Sequence, residues 1–349
     1  MQTLQQIRAM LSGAGLSPQK QFGQCFMIDQ NLMRKVLELA EVGPADAVLE
    51  VGPGTGSLSE ELLERAGRLV AVEIDHGLAA LLREHLGSRP NFTLVEADVL
   101  AGKHAINPVV LEALAAPSGW APQRAGPAGA AQPTEGQRLP PSADAAAVGA
   151  QLVSNLPYNI ATPLLVECLL CSWRARRHLA TLAAHPPKAG SDQDTLPGSA
   201  AVALPAPSSP PAPLVLFERL TFTVQREVAD RLIAGPGSKE YGPVSVLAGL
   251  LGRLQAGAVL PGSAFWPAPS VASRMMRIDF DAEAADRIGR ADVLMDLLTL
   301  SFGSGASRSV RWPAARDWPG RGRWSSRCWT RRAWTARCGL SRSARASSC

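Results

Sequence analysis

Apolar residues along this chain gather in short, nearly unbroken runs. Ala47–Val51, Leu69–Glu73, Phe92–Glu96, Leu152–Asn155 and Leu220–Val224 are rich in Val, Leu and Phe. Runs of that length and continuity predict strands buried on both faces of a parallel sheet. Between them Asp29–Ala40, Leu58–Arg65, Leu78–Leu86, Pro163–Cys171 and Arg226–Ile233 read as helices. Asp29 can cap the first of these. Pro163 suits an early helical position, where a missing N–H does no harm. This alternation predicts a doubly wound α/β domain. Two later runs, Ala256–Leu260 and Met275–Phe280, predict antiparallel strands added at the sheet edge. Ala282–Leu300 predicts the first helix of something further.

Composition interrupts that pattern twice. Residues 115–149 hold 22 Ala, Pro or Gly among 35, and residues 183–213 hold 22 Pro, Ala, Ser or Gly among 31. Neither stretch buries enough apolar surface to offset its ordering entropy, so both are expected as surface insertions. The cost of closing a loop grows only logarithmically with its length, which makes such insertions tolerable.

Charge changes the picture further. Lys plus Arg is 35 and Asp plus Glu is 30, a net of +5. From Gly303 to Cys349 there are eleven Arg, no Lys and one acid, Asp317. The tail is therefore +10 and the body −5, so bulk basicity says nothing about what the body binds. Hydrophobic residues make up 46%, ample for a core. No apolar run reaches the roughly 18 residues of a membrane span. The first ten residues lack a signal-peptide layout, which leads us to expect a cytoplasmic protein. Six Cys in 349 residues do not make a disulfide framework. Cys168 and Cys171 lie in an apolar helical stretch and read as buried thiols rather than a metal or redox pair.

Candidate chemistry sits at the ends of the expected strands. Gly52-Pro-Gly54-Thr-Gly56 places a glycine-rich turn between a strand and a helix, allowing positive φ and close backbone approach to a ligand. A structural strand–helix turn is the plainer alternative. Glu73 closes the next strand, where a carboxylate can accept hydrogen bonds from both hydroxyls of a ribose. Asp98 closes the third and can accept from an adenine amine, or merely cap a turn. Asn155-Leu-Pro-Tyr158 follows the fourth strand. An exocyclic amine on a base is a poor nucleophile because its lone pair is delocalised into the ring. The Asn155 side-chain oxygen and the Leu156 carbonyl can accept its hydrogens and favour a more pyramidal nitrogen. Pro157 stiffens the turn. Tyr158 offers a stacking face for a flipped base.

These motifs, with Gln21-Phe-Gly-Gln-Cys25-Phe-Met27, Val72-Glu73-Ile-Asp75, Gln225-Arg-Glu-Val, Gly235-Pro-Gly-Ser-Lys-Glu-Tyr-Gly242 and Phe265-Trp-Pro-Ala-Pro-Ser-Val271, resemble the ribosomal RNA adenine dimethylase family, in its bacterial KsgA-type small-subunit branch. The match covers most of residues 19–280 apart from the two insertions. The resemblance implies a Rossmann-like methyltransferase sheet over residues 1–280, followed by a small helical C-terminal domain starting at 281–302. It implies S-adenosylmethionine as cofactor, with Gly52 at its methionine part, Glu73 at the ribose, Asp98 at the adenine, and Gly54 and Asn155 also among its contacts. Cys25 and Met27 align with further cofactor contacts. The family usually carries Asn where this chain has Cys25, and a thiol replaces an amide poorly. Asn155, Leu156 and Tyr158 would hold the target adenine, with Phe265 stacking from the other side. The implied reaction is dimethylation of two adjacent adenines near the 3′ end of 16S rRNA, in the immature small subunit, by a monomer. A non-catalytic assembly factor that keeps the fold is the alternative. A nicotinamide-dependent dehydrogenase has no account of Asn155–Tyr158.

Beyond Phe302 the family continues with a basic segment resembling Gln-Arg-Arg-Lys-x-Leu-Arg and a helical domain. Here stands Gly303-Ser-Gly-Ala-Ser-Arg-Ser-Val310. A permitted codon set for that string, read two bases later, gives Gln-Arg-Arg-Lys-Ser-Leu-Arg. Residues 303–349 are thus expected to be a frameshift product that truncates or scrambles the helical domain. The alternative is a genuine Arg- and Trp-rich RNA-binding tail. Resequencing the gene across Phe302 decides between them.

Overall fold

The computed structural model describes residues 1–19, 23–102, 105–116, 147–184, 213–290 and 294. Its strands are β1 (Phe26–Met27), β2 (Ala47–Val51), β3 (Arg68–Glu73), β4 (Phe92–Glu96), β5 (Val148–Asn155), β6 (Val215–Gln225), β7 (Gly252–Leu260), β8 (Phe265–Trp266) and β9 (Ser273–Phe280). Its helices are α1 (Leu4–Gly13), α2 (Gln30–Ala40), α3 (Ser57–Leu63), α4 (His76–Leu86), α5 (Pro108–Ala115), α6 (Ala161–Ala184), α7 (Arg226–Leu232), α8 (Pro243–Leu251) and α9 (Ala282–Asp286).

Seven strands form one sheet in the order β4-β3-β2-β5-β6-β9-β7. The first five run parallel, while β9 pairs antiparallel with both β6 and β7. The two late strands are the expected antiparallel additions at one edge. Alternation along β2 divides the core into two layers. Leu49 and Val51 pack with Leu114 of α5, Leu164 and Leu165 of α6 and Leu247 of α8. Val48 packs with Met33 and Leu37 of α2, Leu62 of α3 and Leu82 of α4.

Local chemistry sets the helix ends. Asp29 Oδ1 accepts from the Asn31 and Leu32 amides at 2.9 and 3.0 Å and caps α2, as expected. Asp75 caps α4 through the Gly77 and Leu78 amides. At its other end α2 finishes on Glu41, held left-handed at φ 50°. Arg219 and Arg277 donate to the Ala40 and Leu39 carbonyls and pair with the Glu41 carboxylate. Two guanidiniums from the sheet thereby hold the negative end of the helix dipole.

Several expectations needed correcting. β4 lies at the open edge of the sheet, so only its alternate residues are buried. Helices α1, α5 and α8 were not anticipated, and α6 is far longer than Pro163–Cys171. It reaches Ala184, into the start of the second Pro/Ala-rich stretch. Likewise α5 ends at Ala115 and β5 begins at Val148, which trims the first stretch at both ends. Residues 117–146 and 185–212, the bulk of both stretches, lie outside the described residues, as does the 303–349 tail. Of the helix expected over Ala282–Leu300, α9 is described, and Trp173 Nε1 donates to the Ile288 carbonyl just beyond it.

Candidate active site: a cleft at the carboxyl ends of the strands

Helix α3, leaving β2, packs on one face of the sheet, and α6, leaving β5, packs on the other. The chain therefore reverses its winding between two neighbouring strands, and the connections part outside their carboxyl ends. Open α/β sheets hold their ligands at such a point. A cleft of about 1140 Å3, solvent mouth included, opens there.

The cleft gathers residues that are far apart in the chain. Cys25, Met27, Gly52, Gly54, Glu73, Asp98, Asn155, Leu156 and Tyr158 all line it. The glycine turn makes the convergence physically possible. Gly52, Gly54 and Gly56 have φ of 68°, 63° and 87°, the left-handed region that side chains avoid. A Cβ on Gly52 would lie 3.1 Å from Pro157 Cγ, and one on Gly54 would lie 2.7 Å from Phe26 Cε1. Glycine thus lets the turn close onto both the Asn155–Tyr158 segment and β1.

Three acids, Glu50, Glu73 and Asp98, line the cleft, and no Lys, Arg or His joins them among the described residues. Glu73 is 4% exposed. Its Oε1 accepts from the Asp75 amide at 3.0 Å and its Oε2 from the Gly54 amide at 3.3 Å, so its carboxyl is fixed in plane and aim. Burial pushes its pKa up to about 7 despite those bonds. Glu50, beneath the turn, accepts from Ser59 Oγ at 2.6 Å. Burial pushes it further, to about 8, with the nearby Glu73 acting in the same direction. Asp98 is exposed. Its Oδ1 accepts from the Leu100 amide at 2.9 Å, which leaves Oδ2 for a ligand. A cleft lined by acids and by no cation among the described residues favours a positively charged small molecule.

The Asn155 amide is held from two sides. Its Nδ2 donates to the Cys25 carbonyl at 2.9 Å, and its Oδ1 accepts from Thr223 Oγ1. One Oδ1 lone pair remains for a ligand. The Leu156 amide donates to the Thr223 carbonyl at 3.2 Å, while the Leu156 carbonyl has no partner among the described residues. Tyr158 is half-buried and its hydroxyl bonds to Ser273 Oγ at 2.8 Å. Cys25 meets this network through its backbone. Its half-buried thiol, raised in pKa by desolvation, is neutral.

Phe265 does not join the group. It is 2% exposed in the ribbon formed by β1 and β8, opposite Met27, and packs into the core beside α2. The expected stacking face is used by the core, because Phe265 is a core residue of a strand pair the sequence did not reveal. Sequence reasoning also missed Glu50, Thr223 and Ser273 as parts of the site. Thr223 left a trace: it and Thr221 are hydroxyls at i and i+2 inside the otherwise apolar run Leu220–Val224.

The model of the family described as ribosomal RNA adenine dimethylase matches residues 15–295. A ribosomal RNA small subunit methyltransferase A of Phenylobacterium zucineum is 31% identical over 87% of this chain and 78% of its own length. The protein of the same name from Moorella thermoacetica is 33% identical over 84% of this chain and 78% of its own. A solved dimethyladenosine transferase of Plasmodium falciparum superposes with a TM-score of 0.48 at 18% identity, covering 80% of this chain and 71% of that one. An acid-lined cleft at the switch point, an amide-and-carbonyl pair opening into it and a family match over residues 15–295 converge: this chain belongs to the ribosomal RNA adenine dimethylase family, whose members are S-adenosylmethionine-dependent methyltransferases.

Proposed function

We propose that the protein dimethylates the exocyclic amines of two adjacent adenines near the 3′ end of 16S rRNA, in the immature small ribosomal subunit. It works as a cytoplasmic monomer. Residues 1–280 form the catalytic domain and 281–302 begin a helical domain.

The observation that carries this reading is the cleft itself, which brings Glu73, Asp98 and the Asn155–Tyr158 segment to one space. Its residues fit the methyl donor. The buried Glu73 carboxylate, pinned by the Gly54 and Asp75 amides, keeps a lone pair on each oxygen for the ribose hydroxyls. Asp98 Oδ2 accepts from the adenine amine, and Ile74, 45% exposed at the cleft wall, packs against that ring. Gly52 and Gly54 bring bare backbone to the methionine part, with Met27 beside it. The acidic lining complements a cationic ligand. When bound, S-adenosylmethionine supplies an electrophilic methyl on a sulfonium that departs as a neutral thioether.

The chain's own task is positioning. The target adenine leaves its stack to enter the cleft. The free Asn155 Oδ1 lone pair and the Leu156 carbonyl accept its two amine hydrogens and point the nitrogen lone pair at the methyl. Tyr158 stacks on the base. With the donor bound, these residues would hold the amine nitrogen in line with the methyl, and the proton the amine gives up would pass to water. A neutral leaving group needs no strong base. The rate comes from alignment and from acceptors already fixed in place.

The test is methyl transfer from labelled S-adenosylmethionine to immature small subunits, comparing the wild type with Asn155→Ala. Two methyls per adenine from the wild type and a loss of about a hundredfold or more in the variant are expected. Cofactor binding without transfer by the wild type overturns the enzymatic reading.

A further inference from the structure

We infer that Thr223 is a positioning residue for the methyl-transfer step: its hydroxyl anchors the Asn155 side-chain oxygen, while the Cys25 carbonyl, which can only accept, sets which way the amide faces. The inference rests on the role proposed above for Asn155. Thr223 sits on β6 directly opposite Asn155 in the β5–β6 register and is 1% exposed. It cannot touch a base in the cleft, whose lining does not include it. It makes two bonds to the segment that does. Its Oγ1 donates to Asn155 Oδ1, and its carbonyl accepts from the Leu156 amide.

An amide side chain is nearly symmetric in shape, and its two ends differ only in hydrogen bonding. If the Asn155 amide turned over, its NH2 would face the target amine, and a donor would meet the hydrogens that need an acceptor. The Cys25 carbonyl fixes the NH2 end, which leaves the oxygen at the other end, where the Thr223 hydroxyl donates to it and holds it in place. The Cys25 contact comes from backbone in the segment before β1, whereas the Thr223 contact comes from a side chain on a central strand. The hydroxyl is therefore the part of this device that substitution can remove. A hydroxyl on an apolar strand costs stability unless it is paired, and here its partner is the site's acceptor.

The experiment measures steady-state transfer by Thr223→Val, Thr223→Ser and Thr223→Ala, with Asn155→Ala alongside, and cofactor affinity by calorimetry. Val keeps the shape and removes the hydroxyl, while Ser keeps the hydroxyl. The expected result is a kcat about tenfold to a hundredfold lower in the Val and Ala variants, as misplacement of a reacting group by up to about 1 Å produces. Cofactor affinity stays within about twofold of the wild type, and Ser restores kcat to within about threefold. If the Val variant does not fold, the Ser and Ala pair reads the same hydroxyl. Loss of activity in Ser equal to that in Ala overturns the inference, because packing would then be the cause. So does full activity in Val or Ala while Asn155→Ala is inactive. Full activity in Asn155→Ala itself overturns the reading of the site on which the inference stands.

Discussion

Glu50 offers a quantitative test of the cleft's electrostatics. Its carboxyl is 2% exposed, bonded to Ser59 Oγ and raised from 4.5 to about 8, chiefly by burial. In the folded state at pH 7 it keeps its proton, whereas in the unfolded chain it has lost it. The folded state therefore binds more protons, and stability falls as pH rises from about 4.5 towards about 8. At about 1.4 kcal/mol per pH unit, the span from 4.5 to neutrality amounts to roughly 3 kcal/mol from this one group. Glu50→Gln keeps the shape and an acceptor for Ser59 but cannot ionise. Urea unfolding at pH 5 and pH 8 reads the effect. With a slope of about 2 kcal/mol per molar, Glu50 alone should lower the wild-type midpoint by roughly 1–2 M over that interval, in addition to what Glu73 contributes. The variant should lose markedly less, keeping only the slope due to Glu73, which is raised to about 7. Parallel pH profiles for the two proteins would refute the claim that Glu50 is held protonated beneath the turn.

Three further substitutions probe the construction of the site. Gly54→Ala places a Cβ at φ 63° and 2.7 Å from Phe26, so about 1–2 kcal/mol of backbone strain and weaker cofactor binding are expected by calorimetry. Adding Phe26→Leu should relieve the contact without removing the strain. Cys25→Asn, which restores the residue usual in the family, should tighten cofactor binding by up to about tenfold, the worth of one hydrogen bond between neutral groups. Equal affinities would mean that only the Cys25 backbone matters. Arg68 is buried at the start of β3 and donates to the Ala113, Leu114 and Ala116 carbonyls that end α5. Arg68→Ala should cost about 2–3 kcal/mol in chemical denaturation, as expected for losing charge-assisted bonds and leaving buried carbonyls unpaired. A cost below about 0.5 kcal/mol would show that those carbonyls find other partners.

Much of this was legible in the sequence because its signals are local. The five parallel strands stand within a few residues of the apolar runs, because buried strands admit little that is polar. The glycine turn, Glu73 and Asn155–Tyr158 could be read because each motif depends on its own spacing. Partnerships across the chain were not legible. Thr223 lies 68 residues from Asn155, and Ser273 lies 115 from Tyr158. Only the pairing of β5, β6 and β9 brings them together. Phe265 was misplaced for the same reason, since a two-residue ribbon leaves no periodicity to read. Helix α8 escaped because Pro243–Leu251 is apolar on nearly every side and so has no amphipathic stripe.

The two Pro- and Ala-rich stretches join the fold at positions that bear on how the protein tolerates change. The first leaves from the end of α5 and returns at β5; the second leaves from the end of α6 and returns at β6. Both returns are at the amino ends of parallel strands, and Val148 and Val215 are register partners. Asn155 closes the opposite end of β5, seven residues away, which at about 3.3 Å per residue is roughly 23 Å. Residues gained or lost at these two junctions enter the molecule on the side facing away from the chemistry. The sheet separates a margin where chain length is free to drift from a margin where a single methyl group matters.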